Sequence, residues 1–211
     1  MSAGWGWPAL FLLGLGAYHG INPGMGWLFS VALGMQENSA RAVLRSLAPI
    51  TLGHALAIGA VLLLASLVQI VLPMQYVRIA VAASLITLGV YRVVRSRHFR
   101  WGGMQVDFRD LTIWSFLMAS AHGAGLMVLP VVLGMRSANA SDGHHMHQFQ
   151  DPATAVWATL VHTLGYLMVT AAVALVVYRK LGLALLRKAW FNLDLVWAVA
   201  LIVTGTLAIV I

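Results

Sequence analysis

Five stretches of this chain, 1–36, 46–77, 111–135, 152–178 and 195–211, contain no Asp, Glu, Lys or Arg. Each approaches or exceeds the ~20 residues that a helix needs to cross a ~30 Å hydrocarbon core. A sixth stretch, 77–94, carries only Arg78 and Arg92 near its ends, where long basic side chains reach the interface. Apolar positions run continuously and do not alternate with polar ones, which argues against a β-barrel. The pattern predicts an all-α integral membrane protein forming one transmembrane domain over 1–211. Six transmembrane helices are expected at about 5–35, 43–71, 75–94, 110–135, 153–178 and 190–210. Composition agrees, with 61% hydrophobic and 9% charged residues, where a soluble domain carries roughly 25% charged. An ordinary globular enzyme is excluded on that ground.

A net charge of +7 and a pI of 10.6 would suit nucleic acid if the charges were spread over a surface. They are not. With helices alternating in direction, eleven of the 13 Lys and Arg fall in the connections after the first, third and fifth helices. Only Arg78 and Arg136 fall on the other side. This asymmetry places the basic loops in the cytoplasm against anionic lipid, with both termini outward. The expected location is a bacterial-type inner (plasma) membrane, crossed several times. The expected partners are the lipid bilayer and a small ion or solute, with no nucleic acid and a possible homo-oligomer. The first helix lacks a basic leader, so it is not read as a signal peptide. With no cysteine, disulfide frameworks, thiolate metal sites and cysteine nucleophiles are excluded together.

Two halves of the chain resemble each other. His19-Gly20 stands in "AYHGINPGMGWLFSVALGM" and His54 in "LGHALAIGAVLLLA"; His122-Gly123 stands in "SAHGAGLMVLPVVLGM" and His162 in "LVHTLGYLMVTAAVA". The His-Gly pair, the Leu-Gly-Met triplet and the second histidine recur at offsets of 103, 100 and 108. Near-constant offsets identify an internal repeat, about 1–95 and about 110–211. Each copy spans three helices, an odd number, so the second runs in the opposite sense through the bilayer. Such inverted repeats are found in many secondary transporters, with the substrate site near the midplane where the halves meet.

At ~1.5 Å per residue, His19, His54, His122 and His162 all lie roughly 15–18 Å from a helix end, close to mid-bilayer. A lone membrane histidine is more often a helix-to-helix hydrogen bond. Four at equivalent repeat positions point to a common site. Neutral imidazole suits nickel, cobalt, zinc and copper, and its pKa also permits proton coupling. After His19, the run Asn22-Pro23-Gly24 predicts a broken first helix, because proline removes a donor and glycine tolerates the break. The Asn22 amide and the freed carbonyls are expected to line the pathway. Gly123, Gly125 and Pro130 predict a weaker break in the second copy. Met25 and Met127 follow the paired histidines at similar distances and are possible thioether contacts, although membrane methionines are mostly packing.

The least hydrophobic connection, 136–151, reads "RSANASDGHHMHQFQD". His144, His145 and His147 make a short metal-binding-like tract that the topology places outside the membrane, suited to metal capture. Asp107 and Asp110 stand where a helix N-terminus favours acid. No nucleophile triad or phosphate loop is evident.

The stretch "HGINPGMGWLFSVALGMQENSARAVLRSLAPITLGHAL" resembles the lysine-exporter superfamily of six-helix transporters. It is closest to the nickel/cobalt transporter-like branch, in which a His-x-x-x-Pro motif precedes a Gly-His on the next helix. The Pro-Gly pair also resembles the amino-acid exporters. The resemblance covers about 38 residues; the remainder is alike only in hydropathy and helix count. It implies that His19, Pro23 and His54 contact the permeant. Where the metal branch commonly has Asp-His after the proline, this chain has Gly24-Met25, so the carboxylate suited to a hard divalent cation is missing.

The expected function is therefore non-enzymatic: secondary transport of a transition-metal cation, with no tightly bound cofactor. An amino-acid or other organic-solute exporter is the alternative. A haem b electron carrier with paired axial histidines is a third reading, disfavoured because the histidines share one depth.

Overall fold

The computed structural model describes residues 6–71, 74–94, 107–139, 152–181, 199 and 201–206, and among these every regular element is helical. α1 spans Gly6–Ile21, a 3₁₀ turn spans Pro23–Met25, and α2 spans Trp27–Gln36. α3 (Ala40–Val71) and α4 (Met74–Val94) complete the first half. The second half holds α5 (Phe108–Ala121), α6 (Ala124–Asn139) and α7 (Pro152–Val176), which ends in a π-turn over Val177–Leu181. Residues 201–206 are also helical.

Local chemistry accounts for the element ends. The Asp107 carboxylate caps α5 by accepting from the Asp110 amide at 2.8 Å, as its place at a helix start predicts. Asn38 adopts φ 47°, a left-handed conformation that asparagine tolerates. The Ser39 amide then donates to the Gly34 carbonyl at 2.9 Å to close α2. The Ser39 hydroxyl accepts from the Arg41 amide at 3.2 Å and starts α3. Arg45 and Glu37 pair at 2.6 Å across this turn with both side chains exposed.

The first predicted helix is broken where proline and glycine stand. The second-half break, expected to be weaker, is a sharp one: α5 and α6 meet at 59°. Its cause is Gly123, at φ 71°, together with His122, which closes α5 by donating its amide to the Met118 carbonyl at 2.9 Å. Pro130 lies inside α6 and leaves it continuous.

Large apolar side chains face outward along the helices. On α7, Val156, Leu160, Leu164 and Met168 recur every fourth residue and are exposed. On the buried face, His162, Tyr166, Thr170 and Ala174 recur at the same spacing. A helix that turns leucine outward and imidazole inward suits lipid, not water. Two of the described helices are long and apolar enough to cross a membrane, at Ala40–Val68 and Ala153–Lys180. The bent pair α5–α6 makes a third if taken as one span.

Two helix pairs dominate the packing. α1 packs chiefly on α7, and α3 packs chiefly on α5. If the copies are overlaid, α1 corresponds to α5 and α3 to α7, so each of these two contacts is the image of the other. Glycine allows the first approach: a Cβ on Gly16 would lie 2.0 Å from the His162 carbonyl oxygen, and one on Gly165 would lie 2.3 Å from that of Leu13. Gly53 serves the second, where a Cβ would lie 2.2 Å from the Thr112 oxygen. Close backbone approach at small residues is how membrane helices associate.

Gly16→Val is accordingly expected to cost about 1–3 kcal/mol through overpacking, read as a lower unfolding temperature in detergent. Gly14→Ala, where nothing lies within 4 Å of the added Cβ, should be neutral. Equal effects of the two substitutions would refute this account of the α1–α7 contact.

Candidate functional site: a buried histidine cluster beside the helix break

The site begins with the backbone that the break leaves unpaired. In an apolar interior each freed carbonyl needs a donor. The Trp27 indole donates to the Ile21 carbonyl at 2.9 Å, and the Tyr166 hydroxyl donates to the Met25 carbonyl. Within the turn, the Asn22 side-chain oxygen accepts from the Gly24 amide at 2.9 Å. Asn22 thus caps the 3₁₀ turn, and its side-chain oxygen is engaged locally. Gly26, at φ 128°, joins this turn to α2.

His19 occupies the last turn of α1, just before this break. Its Nδ1 donates to the Leu15 carbonyl at 2.9 Å, a bond that leaves Nε2 as the nitrogen with the lone pair. His54 comes from α3 and His162 from α7, and all three side chains are completely buried. The ring centroids lie 5.6 Å apart for His19 and His54 and 4.9 Å apart for His19 and His162. His54 and His162 are 5.5 Å apart and nearly parallel, at 8°. Three of the four predicted histidines therefore meet in one cluster drawn from both halves of the chain.

His122 holds a different place. Its Nδ1 donates to the Met118 carbonyl at 2.8 Å, the same i−4 bond that His19 makes. The ring itself lies against the first break: a Cβ on Gly24 would sit 3.9 Å from both His122 Cε1 and Nε2. The two breaks therefore face each other through Gly24 and His122. Pro23 and Gly24 are half-buried beside the cluster. Met25 and Met127 are buried in the main apolar cluster, so the structure shows both as packing residues. His144, His145 and His147 lie outside the described residues.

What the cluster lacks matters as much as what it holds. Both ring nitrogens of His54 and of His162 are buried with no hydrogen-bond partner among the described residues. The Leu12 backbone stands beside His162 without reaching hydrogen-bond geometry. The hydroxyls of Thr51 and Thr163 are likewise buried without partners among the described residues, whereas the Thr170 hydroxyl stands beside that of Tyr166. Apart from the Tyr166 hydroxyl and the Trp27 indole, every buried polar side chain described is His, Asn, Ser or Thr, with no carboxylate or cationic chain among them. The three imidazoles do not yet surround one point: among the described residues no group of three or more His, Cys, Asp or Glu is arranged to hold a metal ion.

Sequence reasoning missed Tyr166, Trp27 and the buried threonines. Tyr166 and Thr170 follow His162 at successive intervals of four, which places them on its helix face; that signal was available. Trp27 as a donor to the broken helix had no comparable signature.

A buried group without hydrogen bonds stabilises nothing by being polar, so an apolar replacement of similar size is nearly neutral or stabilising. His54→Leu should therefore unfold at the same temperature as the parent protein or above it. A destabilisation of more than about 2 kcal/mol would mean that His54 is a structural donor and not a site residue. In comparisons with protein-family models, curated proteins and solved structures, nothing matches this chain.

Proposed function

We propose that this chain is a multi-pass, inner-membrane secondary transporter, built as two inverted three-helix repeats, that carries a transition-metal cation past His19, His54 and His162. The observation that carries the reading is the cluster: three buried imidazoles from two halves, two of them with all their nitrogens unpartnered among the described residues. Unsatisfied polar atoms in a membrane interior are costly and mark a place where something else binds. Borderline-soft nitrogen ligands suit nickel, cobalt, zinc or copper. With no buried carboxylate among the described residues to offset its charge, a bound cation would be held weakly, as release to the other side requires.

The inverted repeat is supported by the image-related contacts α1–α7 and α3–α5 and by the matching i−4 bonds of His19 and His122. Matching breaks follow both histidines. In this architecture the halves rock about the shared site, and the breaks at Asn22–Gly26 and His122–Gly123 are the natural hinges. The resemblance of residues 19–56 to the nickel/cobalt transporter-like branch of the lysine-exporter superfamily agrees with this reading and rests on the quoted motifs. The histidine tract at 144–147 would gather or receive cations at the outer face.

A second reading is favoured by one observation, that the imidazoles do not converge on a metal position. The same cluster could then move protons for an amino-acid or other organic solute exported past it.

The distinguishing experiment expresses the chain in cells and measures their nickel, cobalt, zinc and copper content. Expression should change accumulation of at least one metal. His54→Ala or His162→Ala should reduce that change about tenfold or more at equal membrane abundance. If no metal responds while efflux of a labelled amino acid does, the solute reading replaces the metal one.

A further inference from the structure

Tyr166 is the residue through which the histidine cluster and the broken helix are connected. Its side chain is completely buried. The ring stacks on His54 at a centroid distance of 3.9 Å and an angle of 6°, and His54 is in turn nearly parallel to His162. The hydroxyl donates to the Met25 carbonyl, the last residue of the 3₁₀ turn. One side chain on α7 thus grips an imidazole of α3 and the turn between α1 and α2.

The surroundings are shaped to this contact. A Cβ on Gly26 would stand 3.3 Å from the Tyr166 hydroxyl and 2.5 Å from Ile50 Cγ2. Gly26 also has a φ of 128°, so a side chain there would be strained as well as crowded. Gly16 and Gly20 bring α1 onto the Tyr166 backbone, where added Cβ atoms would lie 2.9 Å from its nitrogen and 2.7 Å from its oxygen.

We propose that Tyr166 is a positioning residue: its ring holds His54 turned away from a shared ligand point, and its hydroxyl ties that orientation to the Pro23–Met25 turn. The inference rests on the reading of the cluster as the permeant site. For His54 to aim a nitrogen at the same cation as His19 and His162, it must rotate out of the parallel stack. That rotation removes the face on which Tyr166 rests. The phenol then shifts, and the Met25 carbonyl loses its donor. Occupancy of the cluster is in this way converted into release of the turn joining α1 and α2. The freed carbonyl becomes available to the cation as an oxygen ligand. Binding and helix movement share one hydrogen bond.

Tyr166→Phe keeps the ring and removes the tether. Purified full-length protein, titrated with zinc and with nickel, should bind the responding metal about 2- to 10-fold more tightly as the phenylalanine variant, the span of one net hydrogen bond. A structural defect would weaken binding instead. The second arm needs no metal. The chain has no native cysteine, so Gly24→Cys provides a single reporter on the turn, at a position where the nearest atoms to an added Cβ are 3.3 Å away. Maleimide labelling of Cys at this position should be several-fold faster when Tyr166→Phe is added.

An unchanged labelling rate overturns the latch whatever the metal does. Unchanged or weaker metal binding by the phenylalanine variant, in a protein that binds metal, overturns the coupling. Faster labelling with no metal response in either protein supports the latch and removes the cation reading alone.

Discussion

An imidazole ring in hydrocarbon has two nitrogens to satisfy, and the rest of this structure depends on where three such rings are placed. His19, His54 and His162 are brought together because α1 and α7 approach at glycine, with no side chain between the backbones at Gly16 and Gly165. The same approach that packs the helices confines the rings to centroid distances of 4.9–5.6 Å. His19 satisfies one nitrogen on its own helix. His54 and His162 do not satisfy theirs, and that residual demand is the physical basis for assigning a ligand to the cluster.

The cluster lies at a helix break, beside backbone that needs donors from other side chains. The broken backbone is held by two side chains, that of Trp27 at the start of α2 and that of the distant Tyr166 on α7. Tyr166 is the more consequential because it also covers His54. A second break faces the first across His122 and Gly24. Two breaks with their histidines, one from each half, therefore border a cluster that draws side chains from both halves.

Much of this was legible in residue spacing. Three of the five charge-free runs overlap α3, α7 and the bent α5–α6 pair, and the caps at Ser39 and Asp107 start α3 and α5 ahead of their runs. Proline and glycine after His19 marked the first break. The repeat arithmetic put four histidines at one depth, and three of them do meet. His122 departs because depth along a helix says nothing about direction around it, and the 59° bend at Gly123 turns this ring toward Gly24. The strength of that bend was hidden because a single glycine in a left-handed conformation leaves no mark in hydropathy. The Asn22 side-chain oxygen, expected to face the permeant, accepts from the amide two residues on and caps the Pro23–Met25 turn. Tyr166 and Met25 are 141 residues apart, a contact that only the packing of α1 on α7 creates.

The most direct test of the central claim is X-ray absorption spectroscopy of the purified protein loaded with zinc or nickel. If the three histidines form the permeant site, the metal should show at least two imidazole ligands with nitrogens at about 2.0–2.1 Å, and His54→Leu should remove one of them. A bound metal with an all-oxygen shell, or a spectrum unchanged by His54→Leu, would contradict the account.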